Sequence, residues 1–134
     1  MGQPPSGTVF VIDDDEAVRD SLKLLLESHL LPVHDFASVP EFLQAVGPRP
    51  RGCLVLDLHL PVIGGLDFLG RYRDRLNGMP VILITGKADA ATRARAFEAG
   101  VRHFLEKPFD DHEVVGAVVD ALALNAAVSE TAPL

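Results

Sequence analysis

Residues 9–26 read VFVIDDDEAVRDSLKLLL, in which an apolar run, three aspartates and a helical pattern follow one another. The apolar run is rich in β-branched residues and does not alternate with polar ones, which is typical of a parallel strand covered on both faces. Apolar side chains then recur at helical spacing over 16–29, and Asp15 is placed to cap that helix. The stretch therefore predicts a strand–turn–helix unit with carboxylates at its turn.

The same kind of unit recurs along the chain. The predicted strands are 8–13, 32–36, 53–57, 81–85 and 102–106. The predicted helices are 16–29, 39–46, 66–76, 89–99 and 111–124. This alternation predicts an α/β fold with a five-stranded parallel sheet, right-handed crossovers and helices on both faces. We expect one domain over 8–125, a flexible tail over 1–7, and a tail or truncated linker over 126–134.

Composition narrows the class of protein. The chain has 134 residues, of which 48% are hydrophobic and 23% charged, and this composition suits one globular domain. A net charge of −7 argues against direct nucleic-acid binding, because such surfaces are usually basic. No apolar run approaches the roughly 20 residues of a membrane span, and no secretory signal is present. We therefore expect a cytoplasmic protein that does not associate with membranes.

Polar residues stand where the predicted strands end. In open α/β sheets, sites form beyond the carboxyl ends of the strands. The residues at these ends are Asp13, Asp14, Asp15, Asp57, Thr85 and Lys107. Clustered carboxylates without His or Cys suit Mg²⁺, and a carboxylate beside it can attack phosphorus. Asp57 is the better nucleophile candidate because it stands alone at the end of a central strand, whereas the turn after the first strand does not follow from the sequence.

Four motifs carry a family resemblance. They are VIDDDEAVR, LVLDLHLPVIGGLDFL, VILITG and FLEKPF, and their order and spacing span about 8–125. With them the chain resembles a response-regulator receiver domain of bacterial two-component signalling, most of all the FixJ-type receivers. The resemblance implies the (βα)5 flavodoxin-like receiver fold.

The resemblance also implies a phosphorylation site. Asp57 is then the phosphoacceptor. Mg²⁺ is held by the carboxylates of Asp14 and Asp57 and by the backbone carbonyl of His59, while Asp13 acts through water. Asp15 is the spare aspartate, a helix cap or a solvent-facing charge.

Further positions follow from the same resemblance. Thr85 is the switch hydroxyl, and Phe104 is the aromatic switch residue in place of the tyrosine of many receivers. Lys107 pairs with the phosphoryl group, and the peptide bond before Pro108 is expected to be cis. His59 and Lys87 flank the attacking water and tune the lifetime of the phosphate.

The implied function is signalling. A sensor histidine kinase supplies the phosphoryl group, and the protein catalyses its own phosphorylation and dephosphorylation without being a conventional enzyme. The face formed by the fourth helix, fifth strand and fifth helix then changes and controls homodimerisation or effector output, which includes transcription if a DNA-binding domain was removed.

Two alternatives stay open at this point. One is a Mg²⁺-dependent aspartyl-phosphate phosphatase of the haloacid-dehalogenase type, since Asp13 and Asp15 form a D-x-D pair. That class leaves Asp57 unexplained and needs room for a cap domain. The other is a receiver that docks partners without phosphorylation, and the presence of every chemical residue speaks against it.

Overall fold

The computed structural model describes the backbone of residues 7–131 and the side chains of residues 7–125. The strands are β1 (Thr8–Ile12), β2 (Val33–Phe36), β3 (Gly52–Asp57), β4 (Val81–Thr85) and β5 (His103–Glu106). The helices are α1 (Glu16–Ser28), α2 (Val39–Ala45), α3 (Gly65–Tyr72), α4 (Ala90–Glu98) and α5 (Asp111–Thr131), with a 3₁₀ turn at Arg73–Leu76. None of the described helices is long and apolar enough to span a bilayer.

The strands form one parallel sheet in the order β2-β1-β3-β4-β5. Val11 of β1 stands opposite both Asp35 of β2 and Val55 of β3, and Asp57 at the end of β3 stands opposite Ile84 of β4. This register aligns the carboxyl ends of β1, β3, β4 and β5 at one edge. The predicted α/β fold is confirmed, with its five parallel strands and five helices.

Helices cover both faces of the sheet, as the continuously apolar strands predict. On one face, α1 and α5 bury Leu22, Leu26 and Val118 against Val11 and Val55. The other core lies beneath α2, α3 and α4. There Phe42 makes edge-to-face contacts with Phe10, Phe36 and Phe68 at centroid distances of 5.8, 5.5 and 6.0 Å. Each strand therefore contributes alternate residues to two separate cores.

The predicted end of the fifth helix differs from the structure. Helix α5 continues to Thr131, so the tail predicted from 126 is helical up to that residue. The segment after Asn125 contains alanines and neither glycine nor proline before Pro133, so nothing in it stops a helix. In α4, Ala96 is the buried residue, whereas the larger Phe97 beside it is 44% exposed. Residues 1–6 of the tail predicted over 1–7 lie outside the described residues.

Candidate functional site

The turn after β1 separates the three aspartates. Asp15 is the N-cap of α1, where its side chain accepts a hydrogen bond from the Ala17 amide at 2.9 Å. Asp13 is completely buried, whereas Asp14 is exposed. The interpretation of Asp15 as a helix cap is therefore confirmed, and the other two aspartates face the edge of the sheet at different depths.

Every polar atom of Asp13 has a partner. Its amide donates to the Phe36 carbonyl at 3.1 Å, and its carbonyl accepts from Nη1 of Arg19 at 2.7 Å. Oδ1 accepts from the Asp15 amide at 2.9 Å, and Oδ2 accepts from Nζ of Lys107 at 2.9 Å. These four bonds fix both the backbone and the carboxylate of Asp13.

Asp57 lies at the end of β3 and is 4% exposed. Its Oδ1 accepts from the His59 amide at 3.1 Å, and its Oδ2 is 3.6 Å from Nζ of Lys107. Burial raises the pKa of Asp57 above its ordinary value, and the charge of Asp13 adds to this effect, while the His59 amide and Lys107 oppose it. The negative charge that Asp57 carries when ionised is therefore only partly balanced by its neighbours.

The carboxylates of Asp13, Asp14 and Asp57, here called the carboxylate cluster, meet at the sheet edge. One oxygen from each lies within 4.8 Å of the others. The donor set consists of oxygen atoms alone, and exposed Asp14 opens it to solvent, so these residues fit a hard divalent cation such as Mg²⁺. For His59 the structure gives the amide contact with Asp57, and the role of its carbonyl stays a prediction.

Lys107 brings a positive charge to the carboxylate cluster. Burial acts to lower the pKa of Lys107, but its hydrogen bond with Asp13 and the charges of Asp13 and Asp57 prevail and raise it. The backbone amide of Lys107 donates to the Thr85 carbonyl at 2.7 Å, which ties the end of β5 to that of β4. The Lys107–Pro108 peptide bond is cis, as predicted.

Thr85 is buried at the end of β4, but its hydroxyl is engaged elsewhere. Oγ1 donates to the Lys87 carbonyl at 2.8 Å and accepts from the Lys87 amide at 3.2 Å. Among the hydrogen bonds of the described residues, none joins Thr85 to the carboxylate cluster. The structure therefore brings Asp13, Asp14, Asp57 and Lys107 together and leaves the Thr85 hydroxyl on its own loop.

Phe104 lies on β5 and is buried. Its ring centroid is 6.4 Å from that of Phe97 on α4, and the guanidinium carbon of Arg93 lies 5.3 Å from the Phe104 centroid. Both distances suit attractive aromatic and cation–π contacts. Phe104 therefore links β5 to α4.

The sequence interpretation assigned no role to Arg19 and Asp35. Nε of Arg19 donates to Oδ2 of Asp35 at 3.2 Å, and the two side chains are 15% and 26% exposed. A signal for Arg19 exists in the motif VIDDDEAVR, because a cation in the first turns of a helix opposes the helix dipole and calls for a tertiary partner.

Comparison with known proteins agrees with the fold and identifies the family. Residues 9–119 match the response regulator receiver domain family. The chain is 45% identical over 123 residues to the transcriptional regulatory protein FixJ of Azorhizobium caulinodans, covering 92% of this chain and 58% of that protein. It is also 45% identical over 114 residues to nodulation protein W of Bradyrhizobium diazoefficiens, covering 84% and 50%. The chain thus spans little more than half the length of these relatives.

Solved structures give the same result. The response regulator StyR superposes with a TM-score of 0.85 at 36% identity, covering 93% of this chain and 64% of the other. Full-length FixJ from B. japonicum superposes with a TM-score of 0.83 at 33% identity, covering 93% and 62%. The chain therefore belongs to the response regulator receiver domain family of two-component signalling and, within that family, is FixJ-like.

Proposed function

We propose that this receiver domain accepts a phosphoryl group on Asp57 from the phosphohistidine of a sensor histidine kinase, in a reaction that requires Mg²⁺. One observation carries the proposal: the buried Asp57 carboxylate lies 3.6 Å from the Lys107 ammonium and within 4.8 Å of two further carboxylates. Such an arrangement suits phosphoryl transfer, which depends on positioning and on charge neutralisation. A kinase partner of this type implies a cytoplasmic location.

In the transfer step, an oxygen of Asp57 forms a bond to phosphorus while the bond between phosphorus and the histidine nitrogen of the donor breaks. The electron pair of that bond returns to the imidazole. Asp14, Asp57 and the His59 carbonyl would hold Mg²⁺, with Asp13 acting through water, and the ion would supply positive charge to the phosphoryl oxygens. Lys107 is held near Asp57 by Asp13 and pairs with the added charge.

The switch follows from contacts that Thr85 makes in the free domain. We propose that its hydroxyl leaves the Lys87 carbonyl, 2.8 Å away, and hydrogen-bonds the phosphoryl group. Because Lys87 precedes α4, this movement changes how α4 packs against Phe104. The surface of α4, β5 and α5 then favours homodimerisation or the binding of an effector, in the manner of a local charge event that biases a two-state element.

The lifetime of the acyl phosphate depends on the side chains that surround the phosphorylated Asp57. His59 and Lys87 are exposed and line one open cleft beside the carboxylate cluster. We propose that they flank the water that hydrolyses the phosphoryl group. The domain thus catalyses reactions of its own Asp57 and does not turn over an external substrate.

The other functions find less support. Membership of the receiver family removes the basis for a haloacid-dehalogenase phosphatase, and Asp13, its candidate nucleophile, is completely buried beneath Lys107. Docking without phosphorylation leaves the carboxylate cluster unexplained. The net charge of −7 supports an output through protein contacts of this domain, with any DNA binding left to a separate domain.

Intact-mass measurement after incubation with acetyl phosphate tests the proposal. We expect one phosphoryl adduct that requires Mg²⁺ and is absent in Asp57→Asn. Asp67→Asn is the matched control, because Asp67 is an exposed aspartate on α3 paired only with Arg71 at 3.9 Å among the described salt bridges. An adduct that persists in Asp57→Asn would assign the wrong nucleophile, and no adduct from either acetyl phosphate or a histidine kinase would refute the function.

A further inference from the structure

Arg19 occupies an unfavourable place in α1. It is the fourth residue of the helix, where the partial positive charge of the helix N-terminus repels a cation. Its side chain is nevertheless 15% exposed, so it is largely withdrawn from water as well. Both costs must be offset by contacts outside the helix.

Those contacts converge on the turn that carries the acidic residues. Nη1 of Arg19 donates to the Asp13 carbonyl at 2.7 Å, while Nε donates to Oδ2 of Asp35 at 3.2 Å. Asp35 lies on β2 directly opposite Val11 of β1. The rigid guanidinium fork thereby joins α1, β2 and the end of β1 in one fixed geometry.

We propose that Arg19 is a positioning residue for the Mg²⁺ site and acts by fixing the backbone of Asp13. Of the four hydrogen bonds that Asp13 makes, the one from Arg19 reaches its carbonyl from outside the turn. Holding that carbonyl in place keeps the side-chain carboxylate of Asp13 hydrogen-bonded to Lys107 and close to the carboxylates of Asp14 and Asp57. Because Asp35 balances the charge of Arg19, the effect comes from geometry and not from added positive charge.

This inference rests on the proposed Mg²⁺-dependent function, and Mg²⁺ affinity tests it without any phosphoryl transfer. The dissociation constant is obtained from thermal unfolding at increasing Mg²⁺ concentration, because a ligand that binds the folded state raises the melting temperature. The variants are Arg19→Ala and Arg19→Lys. Arg73→Ala is the control, since Arg73 also donates to backbone carbonyls, those of Ala99 and Gly100 at 2.6 and 3.3 Å, but at the end of α4.

We expect Arg19→Ala to raise the Mg²⁺ dissociation constant about tenfold, as the loss of a residue that orients a metal ligand does. Arg19→Lys recovers only part of the affinity, because an ammonium cannot reproduce the fork. Arg73→Ala leaves the constant unchanged even where it lowers stability.

Unchanged Mg²⁺ affinity in Arg19→Ala would overturn the role of Arg19 and leave the proposed function standing. Full recovery in Arg19→Lys would overturn the geometric role in favour of charge. An equal loss in Arg73→Ala would show that the effect is general destabilisation. Absence of Mg²⁺ binding by the wild-type protein would overturn the proposed function as well, so the two failures are distinguishable.

Discussion

Replacing Asp57 by asparagine should stabilise the fold when Mg²⁺ is absent, even though it removes the proposed phosphoacceptor. The carboxylate is buried and lies within 4.8 Å of two other carboxylates, so the free domain bears a charge that it balances poorly. Asparagine has nearly the same shape and still offers an oxygen to the His59 amide. The substitution therefore removes charge with little loss of packing.

The magnitude follows from the distances. With an effective dielectric constant of about 20, Asp13 within 4.8 Å repels Asp57 by at least about 3.5 kcal/mol, and Lys107 at 3.6 Å attracts it by about 4.6 kcal/mol. Removing the charge thus loses at most about 1 kcal/mol of net attraction. Removing the charge also ends the repulsion from Asp14. In addition, it removes the desolvation penalty of a buried carboxylate, which is several kcal/mol. We expect a net gain of about 2 kcal/mol, or about 6 °C in melting temperature.

Thermal and urea unfolding followed by circular dichroism, with a chelator present, measure this gain. Asp67→Asn is the control and should change stability by no more than about 0.5 kcal/mol. Saturating Mg²⁺ should reverse the order, because it stabilises the wild type by binding the intact cluster. If Asp57→Asn is no more stable than the wild type without Mg²⁺, the charge interactions calculated above are wrong.

The pH dependence has a definite sign. Because burial and Asp13 raise the pKa of Asp57 in the folded state, the folded protein binds the proton more tightly than the unfolded chain. Acidification through the raised pKa therefore stabilises the wild type relative to Asp57→Asn. The advantage of the variant should shrink as the pH falls and vanish below the ordinary value of 3.8.

Three further substitutions test the charge of the site and the backbone packing at two glycines outside it. Lys107→Met leaves Asp13 buried without its counter-charge and should lower the free energy of unfolding in urea by about 3 kcal/mol without Mg²⁺. Mg²⁺ should restore part of this loss. A variant as stable as the wild type would contradict the ion pair. Gly52→Ala places a Cβ 1.9 Å from the Thr8 carbonyl oxygen at a φ of +137° and should cost about 3 kcal/mol or more. Gly116→Ala, which meets open space in α5, should instead gain about 0.5 kcal/mol, and equal effects at the two glycines would refute the steric reasoning.

The sequence predicted the meeting of Asp57 and Lys107 because strand ends are readable. Continuously apolar runs mark central strands, and parallel pairing brings their carboxyl ends to one edge. The order of the strands does not follow from the chain, since β1 and β3 are neighbours although β2 lies between them in sequence, and it was predicted only through the family resemblance. The cis peptide bond before Pro108 was predicted only through the family resemblance.

The turn after β1 was not predictable from its own residues. Asp13 is buried and Asp14 exposed because contacts from other elements fix the backbone there, namely the Phe36 carbonyl, Arg19 and Lys107. Partners so far away along the chain leave no periodic signal. The orientation of the Thr85 hydroxyl toward Lys87 is likewise a property of the loop that follows it.

Helix α4 shows a different limit. Its sequence AATRARAFE contains little contrast between apolar and polar residues, so helical spacing alone does not choose its buried face. The structure buries Ala96 and uses Phe97 to contact Phe104 at the edge. The buried face of α4 is therefore set by the packing of the small Ala96 side chain in the core.

The carboxylate cluster and its lysine are drawn from the ends of three strands, and the directly bonded Asp13 and Lys107 are 94 residues apart along the chain. No fragment that lacks β1, β3 or β5 holds the complete set, so a nascent or partly folded chain has no site to load. Under the proposed function, phosphoryl acceptance would therefore require β1, β3 and β5 to be assembled, and a chain that has not yet docked β5 could not be phosphorylated. Strand β2 carries none of these side chains, but it holds the backbone of Asp13 through the Phe36 carbonyl and positions Arg19 through Asp35.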